Sequence, residues 1–390
     1  MNDASDWISA QDARARLGVR PQTLYAYVSR GRVQVRADPV DPRRSLYRAA
    51  DIDGLTARKS RSRKLSEVAA GAIAWGEPVL ASSITTVSGG RLFYRGRDAI
   101  GLAETETLEA TARLLRGGHG AALKRSDRPA PPEHPDLGGR AFLALALRAG
   151  VDPPALGRSP LALAVEAATL LDILTDAVAG AVGGGTIHNR LALAWGAGPG
   201  GEAADLIRRM LVLVADHELN ASAFAARVAA STGASLAAAA LAGLAALSGP
   251  RHGGATAAVR TFAAEAERLG PREAIARRLI EDRTLPGFGH PLYPQGDPRA
   301  AALLARFTPP PSLGALNQTV GAVTGQAPNI DFALIAACAA LGLPQQAPFG
   351  LFAVARCAGW FAHAIEQGQS DVLIRPRARY VGPAPEIADG

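Results

Sequence analysis

The alanine-rich run between His217 and His252 is the feature that most constrains how this chain can fold. It reads ASAFAARVAASTGASLAAAALAGLAAL, with a small side chain at almost every position. A helix that is small and apolar on all sides packs closely against other helices and does not face solvent. We therefore expect a buried helical hairpin that places both imidazoles near one cleft.

Five further polar side chains stand where their neighbours must position them. His252 lies between Gly-Pro-Arg and Gly-Gly at a helix boundary, where a helix N-terminus opposes protonation of the ring. His290 and Arg299 belong to LPGFGHPLYPQGDPRA, which glycine and proline mark as an ordered loop. Asp331 begins an apolar helix, and Arg356 lies inside another. An unpaired buried guanidinium is very costly, so we expect an anionic partner for Arg356.

Several segments of the chain, taken in order, resemble the citrate synthase family. They are RLFYRGRDAIGLAETETLEATARLLRGG, DHELNASAFAARVAAST, GPRHGGA, GFGHPLYPQGDPRA, PNIDFAL, LFAVARCAGWFAHAIEQ and RPRARYVG. The resemblance implies a mainly α-helical, citrate synthase-like fold of two domains. A large dimerising domain would comprise residues 65–252 and 343–390, and a small domain would comprise residues 253–342.

The resemblance also implies a reaction. An acyl-CoA (acetyl-CoA or propionyl-CoA) would condense with oxaloacetate to give citrate or 2-methylcitrate plus CoA, with no permanent cofactor and no metal. Removing the α-proton needs a base and a group that stabilises the enolate. Asp331 matches the family's base, His252 the group that hydrogen-bonds the thioester oxygen, and His290 the ketone-binding histidine. The substrate-binding positions match His217, Arg299, Arg356 and Arg375, the last supplied across the interface of a homodimer.

Simpler roles stay open for some of these side chains. Arg299 could only cap a helix, and Asp331 could only be an N-cap, a role that aspartate fills well. Tyr293 and Phe288 are interpreted as loop packing, and His363 as part of a helical core. The remaining histidines are expected at the surface: His119, His134 and His188.

The sequence departs from the family pattern beside two of the matched histidines. Pro291 and Pro294 stand where common members have basic residues that reach toward the CoA phosphates, and Arg251 stands where an apolar residue is frequent. The choice of acyl chain also stays open, because one methylene in an apolar pocket is worth only ~1 to 3 kcal/mol.

Residues 1–64 form a basic module attached to a neutral body, since they hold the whole net charge of +7. A capped helix ending at Leu17, a second helix PQTLYAYVSR and two strands that turn over residues 38–42 resemble winged helix-turn-helix domains of the MerR or excisionase type. That resemblance implies DNA contact through Gln22, Thr23, Tyr25, Tyr27, Arg30, Arg32, Arg43 and Arg44. The alternative is a protein-interaction or oligomerisation arm.

Composition indicates a soluble, cytoplasmic protein. At 390 residues and 48% hydrophobic, the chain can bury large cores and should divide into two or three domains. Its two cysteines suit a reducing compartment and lack metal-ligand spacing. No charge-free apolar run reaches the ~18 residues that a membrane span needs. Two functions compete: a synthase, and a DNA-binding transcriptional regulator that uses the synthase fold to sense oxaloacetate or acyl-CoA.

Overall fold

A computed structural model of the chain divides it into two compact units, Met1–Ala81 and Ser82–Gly390. It describes residues 6–19, 23–24, 27–28, 32–39, 41, 44–56, 80–119, 128–281, 283–370, 372–378 and 380–383. The domain boundary predicted at residue 64 lies outside these ranges.

The first unit is built on a small antiparallel sheet. Strands β1 (Trp7–Ser9) and β2 (Val35–Ala37) both pair with the central strand β3 (Ser45–Arg48). The pairing of β2 with β3 gives the two-stranded wing that the sequence predicts, and β1 adds a third strand.

Short helical segments cover this sheet. The helix Ala10–Leu17 begins at Ser9, whose hydroxyl accepts from the Asp12 amide, and stops at Gly18 in the left-handed region. Residues 23–24, 27–28 and 49–56 are also helical. The core of the unit consists of Ala13, Leu17, Leu24, Val33, Tyr47 and Ile52.

The second unit is mainly helical, as predicted. Its helices are Ala99–Thr105, Leu108–Leu115, Leu137–Ala149, Pro160–Ala179, Ile187–Ala194, Gly201–Leu213, Ala221–Ser231, Leu236–Leu247, Ala255–Leu269, Pro271–Ile280, Pro298–Leu304, Pro311–Thr324, Ile330–Ala340 and Ala347–Gly368. Two of them, Ala99–Thr105 and Ile187–Ala194, are additions to the predicted set. In the parts of the chain that the structure covers, no helix is long and apolar enough to cross a membrane.

The alanine-rich run forms the buried helical hairpin that its composition predicts. Helices Ala221–Ser231 and Leu236–Leu247 pack on each other and on Ala347–Gly368. Gly243 shows how close this packing is, because a Cβ there would lie 2.7 Å from the Trp360 ring. Small side chains are therefore needed where these helices meet.

A β-hairpin precedes the helices of this unit. Strands β4 (Thr85–Ser88) and β5 (Arg91–Tyr94) pair through a turn at Gly89 and Gly90, both with positive φ, and β6 (Arg97–Asp98) extends the sheet. The predicted hairpin is confirmed.

Two separate apolar cores lie in the second unit. The smaller core falls wholly within the range predicted for the small domain, and its largest members are Phe262, Phe288, Leu316 and Phe332. The larger core takes in the hairpin and the alanine-rich helices. One surface assignment needs correction: His188 is partly buried in helix Ile187–Ala194, and this burial lowers its pKa.

Candidate active site

The segment that carries His217 is held against the β4–β5 hairpin. The Thr85 hydroxyl donates to Asp216 Oδ2 at 2.5 Å, and the Val87 amide donates to Glu218 Oε1 at 2.6 Å. Glu218 has a φ of 51°, in the left-handed region that a residue with a Cβ rarely adopts. These two carboxylates hold the chain in that conformation and fix the position of His217 between them.

Asp216 also fastens this segment to the long helix Ala347–Gly368. His363 Nε2 lies 3.2 Å from Asp216 Oδ2, and both side chains are buried. Gly359 permits the close approach, because a Cβ there would lie 2.7 Å from the Ala215 carbonyl oxygen. His363 therefore belongs to the helical core, as the sequence indicates, and it anchors the site from behind.

His217 itself is buried among aromatic rings and cations. Its Nε2 lies 2.9 Å from the Tyr293 hydroxyl, and its ring centroid lies 5.4 Å from that of His290. Burial lowers the pKa of His217 well below its usual value, and the charges of Arg299 and Arg356 lower it further. His217 is therefore neutral at physiological pH.

Arg299 is buried in a two-pronged ion pair with Asp297. Its Nε and one terminal nitrogen donate to the two carboxylate oxygens at 2.9 and 2.8 Å. Burial alone would lower the pKa of Arg299, but Asp297 reverses this and raises it. Asp297 is also the N-cap of helix Pro298–Leu304, and it accepts from the Ile330 amide at 3.0 Å. Arg299 therefore does more than cap a helix.

Asp331 lies in the first turn of helix Ile330–Ala340, partly buried. The N-cap of this helix is Asn329, so the alternative role of Asp331 as an N-cap is wrong. Burial raises the pKa of Asp331 to about 6, although the charges of Arg299 and Arg356 act in the opposite direction. A carboxylate with a raised pKa is a stronger base than an ordinary aspartate and is still ionised at pH 7.

Arg356 is buried without an ion-pair partner among the described residues. Its Nε donates to the Val214 carbonyl oxygen at 3.0 Å, and its guanidinium carbon lies 4.9 Å from the Phe352 ring centroid. Burial lowers the pKa of Arg356 to about 10, with Asp216 the nearest compensating charge. The anionic partner that the sequence calls for is therefore not supplied by a contact within the described chain.

His252 lies in the turn before helix Ala255–Leu269. Its Nε2 is 2.8 Å from the Ser222 hydroxyl and 3.2 Å from Asn220 Oδ1, and Trp360 Nε1 donates to the same hydroxyl at 3.0 Å. Burial lowers the pKa of His252 to about 4, and Arg356 contributes to this. Burial likewise lowers the pKa of His290 to about 4, with a smaller contribution from Arg299.

Six of the seven predicted site residues interact with one another across long sequence separations. The pKa of His217 responds to the charges of Arg299, Arg356, His290 and His252, and that of Asp331 responds to both arginines. Arg375 is the exception, because it is exposed on a segment held by bonds from Gln367 to Val372 and from Ile374 to Ser231. The described residues contain no cluster of His, Cys, Asp or Glu that could hold a metal ion.

The predicted DNA-contacting residues are only partly covered. Thr23, Arg32 and Arg44 are exposed, and Tyr27 is half-buried. Arg44 Nε lies 3.3 Å from Asp41 Oδ2 in an exposed ion pair. The rest lie outside the described residues: Gln22, Tyr25, Arg30 and Arg43.

Comparison with known proteins accounts for this arrangement. A family model for the C-terminal domain of citrate synthase matches residues 176–377, which is more than half of the chain. The chain belongs to the citrate synthase family. The match includes all seven of the residues predicted from the resemblance.

Relatives within the citrate synthase family include both citrate and 2-methylcitrate synthases. The citrate synthase of Haloferax volcanii is 37% identical over 194 residues, 46% of this chain and 50% of that protein. The 2-methylcitrate synthase 2 of Corynebacterium glutamicum is 35% identical over 214 residues, 50% of this chain and 55% of that protein. The chain therefore spans about half the length of the curated relatives that it matches.

Solved citrate synthase structures match more of the chain. The Thermotoga maritima citrate synthase has a TM-score of 0.63 and 27% identity, over 81% of this chain and 96% of that chain. A Thermoplasma acidophilum citrate synthase matches with a TM-score of 0.64 and 23% identity, over 80% of this chain and 96% of that chain. The latter likeness supports the fold alone.

Two residues of the site were missed by reasoning from sequence. Tyr293, interpreted as loop packing, contacts His217 through its hydroxyl and lies 4.9 Å from the His290 ring. Asp297 pairs with Arg299. Both stand in the same glycine- and proline-rich loop as His290, and that shared loop was the available signal.

Proposed function

We propose that the cleft condenses a short acyl-CoA with oxaloacetate, then hydrolyses the thioester to release CoA. The product is citrate from acetyl-CoA or 2-methylcitrate from propionyl-CoA. The observation that carries the proposal is the combination of a base of raised pKa, two neutral histidines and an arginine that lacks an internal partner. The matching Thermoplasma structure is described as a ternary complex with carboxymethyl coenzyme A and oxaloacetate.

The first chemical step is formation of the enol. Asp331 takes a proton from the α-carbon of the thioester, and His252 donates a hydrogen bond to the thioester oxygen. Ser222 Oγ accepts from Trp360 and presents its own hydrogen to His252 Nε2 at 2.8 Å. This arrangement leaves the hydrogen of the neutral imidazole on Nδ1, where it can be donated to the substrate.

The second step forms the carbon–carbon bond. The nucleophilic α-carbon attacks the ketone carbon of oxaloacetate while His290 donates a hydrogen bond to the ketone oxygen. Arg299 and Arg356 bind the carboxylates, for which guanidinium groups suit better than ammonium groups. Water then attacks the thioester carbonyl, and CoA leaves as the free thiol. We also propose that residues 253–342 close over the cleft as a small domain.

The direct test is release of thiol from acetyl-CoA, propionyl-CoA and butyryl-CoA, each with and without oxaloacetate. We expect thiol release from at least one of the first two only when oxaloacetate is present, with the expected tricarboxylate identified by mass spectrometry. Thiol release that does not depend on oxaloacetate, or no release from any short acyl-CoA, would contradict the proposal. The series also settles the acyl preference.

Activity is expected to rise with pH through about 6 and then stay level to about 8. Asp331 acts as a base only when ionised, and burial raises its pKa to about 6. The pKa values of His252 and His290 are about 4, so both rings stay neutral across this range. The check is a profile of kcat/KM against pH. An inflection near pH 4 with no change near 6 would assign the base to another group.

We propose that the active form is a homodimer that exchanges Arg375. Arg375 is exposed in the single chain, and helices Leu137–Ala149 and Pro160–Ala179 expose a group of apolar side chains: Leu143, Leu147, Leu161 and Val165. Mixing inactive Asp331→Asn protein with inactive Arg375→Ala protein, after unfolding and refolding together, should restore activity, since one site of each hybrid dimer is then intact. No restoration would show that Arg375 acts within its own chain.

A second function, as a DNA-binding regulator, is proposed for residues 1–64. The observation that favours it is the strand β2–β3 wing beside exposed Thr23, Arg32 and Arg44. Full-length protein should be retained by DNA in a salt-sensitive manner, and oxaloacetate or acyl-CoA should change the retention. If removal of residues 1–64 leaves retention unchanged, this function is excluded. A change of native mass on their removal would indicate an oligomerisation arm.

A further inference from the structure

Tyr293 joins three groups of the candidate site through one buried side chain, which is 2% exposed. Its hydroxyl lies 2.9 Å from His217 Nε2, and its ring centroid lies 4.9 Å from that of His290. The guanidinium carbon of Arg299 lies 5.2 Å from the same ring. A side chain with these contacts can decide what each neighbour presents to a ligand.

The hydrogen bond between Tyr293 and His217 fixes where one proton lies. Burial raises the pKa of Tyr293 to about 12 and lowers that of His217 well below its usual value, so both groups are neutral at pH 7. A neutral imidazole has one nitrogen that donates and one that accepts. In the described part of the chain, His217 Nε2 is the acceptor in contact with the phenol hydrogen. Donation from the phenol leaves the ring hydrogen on Nδ1.

The other ring nitrogen of His217 is left for a ligand. Nδ1 has no hydrogen-bond partner among the described residues, and it is not one of the atoms sealed from solvent without a partner. An ionised carboxylate only accepts hydrogen bonds, so it can bind Nδ1 only when that nitrogen carries the hydrogen. The opposite tautomer would direct a lone pair at the carboxylate.

We propose that Tyr293 is a positioning residue that holds His217 in the Nδ1-protonated tautomer, so that His217 donates a hydrogen bond to a carboxylate of the dicarboxylate substrate. This rests on the proposed function for the identity of the substrate. The tautomer itself is a property of the free protein. It can therefore be tested whether or not the protein turns over an acyl-CoA.

The first test is Tyr293→Phe, which keeps the ring against His290 and Arg299 and removes only the hydroxyl. KM for oxaloacetate should rise roughly 10-fold while kcat changes by less than about threefold, because the lost interaction contributes to binding and not to the reacting atoms. Tyr380→Phe is the matched control, since Tyr380 is 70% exposed. It should leave both constants unchanged. A fall in kcat with unchanged KM, or no effect of Tyr293→Phe, would overturn the proposal.

The second test is the His217 tautomer, read by long-range proton–nitrogen NMR correlation, with a His217→Gln protein to assign the signals. The wild type should show hydrogen on Nδ1, and Tyr293→Phe should shift the population toward Nε2. A wild-type ring protonated at Nε2 would overturn the proposal even if the synthase is active. Hydrogen on Nδ1 in a protein without synthase activity would instead leave the tautomer assignment standing and contradict the proposed function.

Discussion

Replacing Asp331 with asparagine is expected to lower kcat by roughly 10²- to 10⁴-fold while oxaloacetate still binds. The amide keeps the shape of the side chain and cannot accept the α-proton. Asp331 lies near Arg299 and Arg356, but neither forms an ion pair with it, so the cation set should persist. The measurements are thiol release under saturating acyl-CoA and calorimetric binding of oxaloacetate.

The same substitution should not destabilise the protein. Burial raises the pKa of Asp331 to about 6, above its unfolded value, so the folded state disfavours the charged form. For such an acid, stability decreases as pH rises through about 6, and asparagine removes this penalty at pH 8. Glu202→Gln is the control, since Glu202 is an exposed acid in the first turn of a helix and should change neither property. Loss of activity accompanied by unfolding would point to a structural role.

The two buried arginines should respond in opposite ways to replacement by methionine. Arg356→Met is expected to raise KM for oxaloacetate by roughly 100-fold, because a charge-assisted carboxylate contact is lost. Its stability should be close to that of the wild type or higher. Arg356 has no ion pair to break, burial already disfavours its charge, and only the bond to the Val214 carbonyl is lost.

Arg299→Met is expected to reduce the free energy of unfolding by roughly 3–5 kcal/mol, because it leaves a buried carboxylate without its counter-charge. That carboxylate, Asp297, also holds the Ile330 amide and hence the helix that carries Asp331. Denaturant unfolding at pH 7.5 compares the two variants directly. Equal losses of stability would mean that Arg356 has a structural ion pair after all, and no loss in Arg299→Met would contradict the role given to Asp297.

Much of the helical framework follows from sequence because its determinants are local. The alanine-rich hairpin was predictable since small residues on every face leave a helix no stable place except against other helices. The turn at Gly89 and Gly90 needs positive φ at both positions, which glycine alone adopts at no steric cost. The capped helix Ala10–Leu17 likewise depends on residues at its own ends.

The inner details of the site depend on contacts between distant segments, and local patterns do not encode them. Asp297 is identifiable as an N-cap, but its pairing with Arg299 and its bond to the Ile330 amide require helix Ile330–Ala340 to arrive beside it. The left-handed Glu218 depends on the Val87 amide, 131 residues earlier. The role of Tyr293 depends on His217, 76 residues away, and its aromatic side chain in a loop resembles ordinary packing.

The most direct test of the proposed mechanism is a crystal structure of the full-length protein with oxaloacetate and carboxymethyl-CoA. The account predicts oxaloacetate carboxylates on Arg299 and Arg356, the ketone oxygen against His290, and the Asp331 carboxylate about 3–3.5 Å from the carbon that corresponds to the acyl α-carbon. Ligands bound elsewhere, or Asp331 separated from that carbon by other side chains, would contradict it.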